Sequence, residues 1–163
     1  MNDPLILYVL VRADLASMGK GKGMAQAAHA ASLFADNEFI KPLLDGKKPS
    51  PDVMEWRQGE QEKALGFGTK LTIDMPSREV MEAVVEAAEM LGFPSGLVVD
   101  PTYPFIVPNE LVARLDASKF TLPPSMGATE SACFVEEVTT GYVFGRKSKL
   151  AILLSKFKLV PND

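Results

Sequence analysis

Met18-Gly19-Lys20-Gly21-Lys22-Gly23-Met24-Ala25-Gln26-Ala27-Ala28-His29-Ala30-Ala31 is the stretch on which the fold turns. Three glycines alternate with two lysines, and an alanine-rich run follows. Just before it, Leu5 to Val11 is a continuous aliphatic run that predicts a buried strand. The stretch is therefore a strand-to-helix turn with cationic side chains at the helix start. N–H groups left open there, together with the helix dipole, favour an anion, and lysines add full charges. Glycine permits close backbone approach and positive φ. A plain flexible loop ahead of a helix is the competing reading.

Lys22 to about Asp36 is the expected first helix. At 100° per residue, Met24, Ala27, Ala28, Ala31, Phe34 and Ala35 share one mostly small face, which suits close packing on a sheet. Lys22, Gln26 and His29 share the opposite face, either as a solvated polar stripe or as ligand contacts.

The rest of the chain can be read in order. Residues 37 to 51, with Pro42, Gly46, Pro49 and Pro51, predict an exposed connection. Ser50 then caps a helix over Pro51 to Glu62, with proline in its first position and Trp56 as a core or cleft-edge anchor. Ala64 to Met75 predicts a strand, and Gly66 and Gly68 around Phe67 suggest a bulge or a close backbone approach. Ser77 to Leu91 is a helix capped by Ser77 and stopped by Gly92 and Pro94. Its apolar stripe is Val80, Met81, Val84, Val85, Ala88 and Leu91. Leu97 to Val99 predicts a third strand that ends at Asp100. Asn109 to Leu115 suits a short helix, and Pro123, Pro124, Gly127 and Thr129 a loop. Ala132 to Val138 and Lys149 to Leu159 suit two strands joined around Gly141 to Gly145. This alternation of strands and helices points to an α/β sandwich with crossovers.

Composition bounds the function. A chain of 163 residues, 47% of them hydrophobic, suits one domain with a sizeable core. No apolar run approaches the ~20 residues of a membrane span, so no membrane partner is expected. Asp3 and the missing basic n-region argue against a signal peptide, and the single Cys133 suits a reducing compartment, the cytoplasm by default. The net charge of −4 argues against wholesale coating of nucleic acid but leaves room for a local basic site. Arg146, Lys147, Lys149, Lys156 and Lys158 form an acid-free run, either a lysine-rich edge strand or a phosphate-facing surface. The glycines do not spell Gly-x-Gly-x-x-Gly, and Gly23 rather than Ser or Thr follows Lys22, so neither nucleotide fingerprint is present. One histidine and one cysteine make a dedicated zinc site unexpected.

Sites in open α/β sheets form at the carboxyl ends of strands. Here those ends are Arg12 to Lys22 and Asp100 to Phe105. A carboxylate and a lysine meeting there could act on an ester, with Asp100 orienting or activating water and the ammonium stabilising oxyanion charge. A Lys–Asp ion pair holding a loop on the sheet is the plainer alternative.

Arg12-Ala13-Asp14-Leu15 followed by Met18 to Ala31 resembles the opening signature of the second, archaeal and eukaryotic type of peptidyl-tRNA hydrolase. That signature is a strand ending in Arg-x-Asp, then Met-Gly-Lys-Gly-Lys, then a helix with Ala-Gln and His-Ala. The resemblance continues more weakly through Trp56, Gly59 and Lys63 to Asp100, fades after Pro108, and so covers about two thirds of the chain. It implies a three-layer α/β/α sandwich with a mixed central sheet. The chain would then be a single domain over residues 1–163 with an insertion or extension at about 109–163. It implies hydrolysis of the ester joining a peptide to the 3′ end of tRNA, with tRNA as partner, no cofactor and no metal. A homodimer is left open. The family's catalytic lysine and aspartate carry over to Lys22 and Asp100, and Arg12, Lys20, Gln26, His29 and Thr102 are the expected substrate contacts. The family's threonine does not carry over. Pro104 stands at its position and Phe105 at that of the following glutamine, while Thr102 comes two residues early. A tRNA-binding relative that has lost catalysis is therefore the alternative, and a regulatory or assembly domain using the long tail is a third.

Overall fold

The computed structural model describes residues 3–62, 68–112, 114–116 and 130–159. The chain divides into two compact units, Met1–Val98 with Thr140–Asp163, and Val99–Thr139. The element order is β1 (Leu5–Arg12), α1 (Lys20–Ala35), a π-helical turn (Asp36–Ile40), α2 (Lys41–Leu44), α3 (Pro51–Glu62), β2 (Lys70–Met75), α4 (Arg78–Met90), β3 (Ser95–Pro108), α5 (Asn109–Val112), β4 (Glu130–Arg146) and α6 (Lys147–Leu154).

The first unit is an α/β sandwich on a mixed four-stranded sheet of order β2-β1-β4-β3. β1 runs parallel to β2, from Leu7 opposite Lys70 to Arg12 opposite Met75. It runs antiparallel to β4, from Leu5 opposite Arg146 to Val11 opposite Thr140. All eight residues of β1 are buried, as a strand must be when helices cover both faces of its sheet. Leu5, Leu7, Val9 and Val11 pack with Ala30 and Phe34 of α1, Val53 of α3, and Tyr142 and Phe144 of β4. Phe34 is the hub, with Trp56 edge-on at 5.5 Å, Tyr142 edge-on at 5.4 Å and Phe144 tilted at 5.0 Å. Ile6, Tyr8 and Leu10 alternate to the other face. There α4 buries Met81, Val84, Val85 and Ala88, and α6 buries Leu150 and Leu154. A methyl group at Gly141 would stand 3.5 Å from Val85, and one at Gly145 3.1 Å from Phe93 and 3.5 Å from Leu150. β4 thus uses glycines where its neighbours come closest, Gly141 beneath Gly96 O and Leu97 of β3, 2.9 and 3.2 Å from such a methyl, and Gly145 beneath Phe93 and Leu150.

Several expectations hold. Ser50 accepts from the Val53 amide at 3.3 Å and Ser77 from the Val80 amide at 3.4 Å, which caps α3 and α4. α4 ends at Gly92, φ +77°, where Phe93 N–H reaches Ala88 O and Gly92 N–H reaches Glu89 O, a Schellman closure. Gly68 is a close approach, because a Cβ there would fall 1.6 Å from the Trp56 indole. Trp56 in turn donates from Nε1 to Thr69 O at 3.4 Å, and the Lys70 ammonium lies 5.1 Å over its ring. The short helix begins at Asn109 and closes in turns from Arg114 to Leu111 and from Leu115 to Val112. The expected start of β2 at Ala64 to Phe67 and the loop at Pro123 to Thr129 lie outside the described residues.

Other expectations are corrected. α1 begins at Lys20, not Lys22, and helix continues through the π-turn and α2 to Leu44 where an exposed connection was expected. Pro42 sits in the first turn of α2, where its missing N–H costs little, and the wider π-turn just before it absorbs the break in the hydrogen-bond ladder. β3 does not stop at Val99 but runs to Pro108. Pro101, Pro104 and Pro108 are tolerated within it because an edge strand can forgo ladder donors. Gly141 to Gly145 is no turn, since β4 passes straight through it. Lys149 to Leu159 is not a strand. Residues 147–154 form α6, whose Leu150 and Leu154 share one buried face, and only Leu159 bridges antiparallel to Ile73. A short apolar run such as Leu150 to Leu154 has no period that separates strand from helix.

In the second unit Tyr103 of β3 and Cys133 and Val138 of β4 are buried.

Candidate active site

β1 ends at Arg12, buried, whose guanidinium grips Asp14 with Nε to Oδ1 and Nη2 to Oδ2 both at 2.6 Å. A two-pronged charge-assisted pair of this kind fixes the chain as it leaves the sheet. It holds the Asp14 carboxyl below its ordinary range, chiefly through the Arg12 hydrogen bond. The Ala13 amide bonds Met75 O at 2.9 Å, which ties the exit of β1 to the end of β2. A turn from Met18 N–H to Leu15 O at 2.8 Å then delivers Gly19 as the N-cap of α1.

Gly19 is extended, φ −63° and ψ 167°, and offers no side-chain cap, while the first turn of α1 holds no acid. The α1 start thus combines its dipole with Lys20 and Lys22 and with no acidic side chain of its own turn to offset them. Nothing lies within 4 Å of where a Cβ would stand at Gly19 or Gly21. Among the described glycines only Gly46 and Gly92 have positive φ, so Gly19 and Gly21 serve by leaving the space beside the backbone open and not by left-handed geometry, while the Gly23 N–H closes the first turn on Gly19 O at 2.8 Å. The Lys22 ammonium reaches Ser17 Oγ at 3.3 Å and is half-buried, whereas Lys20 is exposed. Ser17 is a partner that sequence patterning alone did not single out. Its signal was its place directly before Met-Gly-Lys-Gly-Lys.

The helix is rotated part of the way from the expected orientation. Phe34 is buried and Ala27 and Ala31 pack on the core as expected, but Gln26 and Ala30 are buried beside them, whereas Ala28 is exposed and Met24 is 69% exposed. Gln26 is therefore not on an outward polar stripe: its residue is buried, and its main-chain carbonyl accepts from Thr140 Oγ1 at 3.3 Å. His29, on the same stripe, is exposed. Arg12, Lys20 and Lys22 thus stand at the strand exit and helix start of the first unit, with Gln26 and His29 further along the same helix.

Asp100 and Thr102 belong to the second unit. Asp100 Oδ1 accepts from the Thr102 amide at 2.9 Å and from its hydroxyl at 3.2 Å. The hydroxyl that comes two residues early in sequence is therefore folded back onto the carboxylate. This is the local habit of Asp followed two residues on by a donor. Asp100 is half-buried and Thr102 exposed. No group of three or more metal-ligating side chains occurs among the described residues, and no helix there is long and apolar enough to cross a membrane.

The first unit can hold an anion at the α1 start, and the second presents a carboxylate with an attached hydroxyl. No curated protein matches the chain. The family model for peptidyl-tRNA hydrolase PTH2 matches residues 5–113, from the first residue of β1 through the end of α5. The chain belongs to the peptidyl-tRNA hydrolase PTH2 family.

Proposed function

We propose that this protein hydrolyses the ester between a peptide and the 3′ end of tRNA. The observation that carries the reading is the α1 start: a glycine N-cap with no side-chain cap, no acid in the first turn, Lys20 and a half-buried Lys22, within the family match. Lys20 and the N–H groups of the α1 start bind the terminal phosphates, the exposed His29 lies further along α1, and Arg12 holds the strand exit in place through Asp14. The Lys22 ammonium faces the ester carbonyl and stabilises the charge that develops on its oxygen. Asp100 takes a proton from the attacking water, and Thr102 holds the carboxylate in place. Collapse of the tetrahedral intermediate breaks the bond to the ribose oxygen, which regains a proton, and leaves free peptide and tRNA. Such a protein works in the cytoplasm, on tRNA left charged by aborted translation.

A second reading is favoured by one specific observation. Pro104 and Phe105 stand where the family carries Thr and Gln, inside a continuous strand, β3. On that reading the chain binds tRNA without cleaving it.

Peptide release from purified peptidyl-tRNA separates the two. Lys22→Ala should lower the rate by ~10²–10³, the usual loss for one oxyanion contact, while the protein stays folded. Asp100→Asn should abolish release and spare or tighten tRNA binding, because a negative charge leaves the site. Wild-type turnover in either folded variant would overturn the catalytic assignment. Binding of tRNA without any release by the wild type would establish the second reading.

A further inference from the structure

The acid-free basic run at the carboxyl terminus is not one patch. β4 ends at Arg146, opposite Leu5, so the start of α6 lies at the end of the sheet where β1 begins. Arg146 is taken up there: Nη2 meets Glu55 Oε2 at 2.6 Å and Asp52 Oδ1 at 3.3 Å. The α6 start is closed by Asp3, which accepts from the Ser148 amide at 2.9 Å and from its hydroxyl at 2.5 Å. Lys147 and Lys149 belong to that end. Eight helical residues then carry the chain roughly 12 Å toward the other end of the sheet.

There the chain turns and comes back beside β2. The Asp74 amide donates to Lys158 O at 3.3 Å, and Leu159 pairs antiparallel with Ile73. Going backward from Leu159, Lys158 stands opposite Asp74, and Lys156 stands beyond the last residues of β2. This is the end at which Arg12 pairs with Met75 and from which the chain enters α1. Opposed residues project to the same face of a sheet. Thr72 pairs with Val9, whose side chain packs with α1, so Asp74 and Lys158 project toward the α1 side. Lys158 lies two strand spacings from β1, roughly 10 Å. Lys156 and Lys158 are both exposed.

Charge at this end differs from the chain as a whole. Arg12 and Asp14 neutralise each other, as do Arg78 and Glu82. Lys20, Lys22, Lys156 and Lys158 are the described lysines at this end, which also carries Asp74 and Glu79, in a protein of net charge −4. We infer that Lys156 and Lys158 extend the RNA-binding surface across the outer edge of β2. They would take the phosphate backbone of the tRNA acceptor stem, while its 3′ end lies at Lys22. The inference rests on the proposed function, since it needs tRNA at the α1 start.

The test is the salt dependence of binding, measured on an acceptor-stem RNA hairpin and on its single-stranded 3′-terminal tetranucleotide. The double variant Lys156→Ala, Lys158→Ala should bind the hairpin with a log–log salt slope shallower by about 1.4–1.8, two phosphate contacts' worth. It should bind the tetranucleotide as the wild type does. Lys147→Ala with Lys149→Ala, at the other end of the sheet, should leave both slopes unchanged, and Asp74→Asn should tighten hairpin binding. An unchanged hairpin slope in the Lys156, Lys158 variant overturns the inference and leaves the proposed function standing. An equal loss in the Lys147, Lys149 variant also overturns it, because bulk charge would then be the cause. Failure of the wild type to bind either RNA removes the proposed function and this inference together.

Discussion

Glu38 illustrates how a single residue is set by partners far away in sequence. It lies in the π-turn, half-buried, and accepts from the Tyr142 hydroxyl at 3.3 Å, while Asn37 Nδ2 donates to the same hydroxyl at 3.2 Å. Burial pushes the Glu38 carboxyl above its ordinary range, and the Tyr142 bond pulls it back only in part. Burial, with help from the charges of Glu38 and Glu89, pushes the Tyr142 phenol up to about 12. A carboxyl raised in the folded state favours folding when protonated, so its ionisation costs stability as pH rises through its folded value. Glu38→Gln, which keeps the acceptor oxygen, should therefore raise the melting temperature at pH 7. That gain should shrink as pH falls below the ordinary carboxylate range. Melting curves at about pH 3 and pH 7 check this, and a gain independent of pH would contradict it. Asp14 has the opposite sign: Arg12 depresses it, so its contribution is present at neutral pH and is lost on acidification.

At the scale of the element, α1 is where pattern and packing part company. Its alanines occur on every side, so the expected face, with Ala27, Ala28 and Ala31, and the face that packs, with Gln26, Ala30 and Phe34 and with Ala27 and Ala31 at its margin, differ little in hydrophobicity. The large Phe34 decides the rotation, because its ring must sit among Trp56, Tyr142 and Phe144. Ala30 has no exposed surface, and overpacking such a site typically costs ~1–3 kcal/mol. Ala30→Leu should thus destabilise by that amount in urea unfolding, whereas Ala28→Leu, on the exposed side, should lie within about 0.5 kcal/mol of wild type. Equal effects at the two positions would mean that the helix packs by another face.

At the scale of the whole molecule, β3 and β4 each begin in one unit and continue in the other. In the first unit a Cβ at Gly96 would meet the Tyr142 ring at 2.9 Å, and the Phe144 amide bonds Pro94 O at 2.8 Å. That register brings Val98 opposite Thr140, so a short turn can join them. Replacing residues 99–139 with such a turn should leave a first unit that unfolds cooperatively, because its core draws on none of them. The shortened protein should keep salt-dependent tRNA binding and lose peptide release, since Asp100 and Thr102 go with the excised segment. Calorimetry and the release assay check both halves, and retained release would remove Asp100 from the reaction.

What the sequence determined by itself was local or strongly periodic. The unbroken aliphatic run of β1, the Ser50 and Ser77 caps, the Gly92 stop and the apolar stripe of α4 each rest on a few neighbouring residues. So does the motif around Lys20 and Lys22 that resembles its family. Tertiary structure alone decided the rest. It chose which side of α1 faces the sheet, made residues 147–154 a helix, and ran β3 past Asp100 as a proline-tolerant edge strand. It also buried Gln26 and folded the Thr102 hydroxyl onto Asp100. The physical reason is the same in each case. Alanine-rich and short apolar runs carry no period strong enough to fix a face or an element, so the choice falls to whichever large side chains and sheet edges they meet in the folded chain.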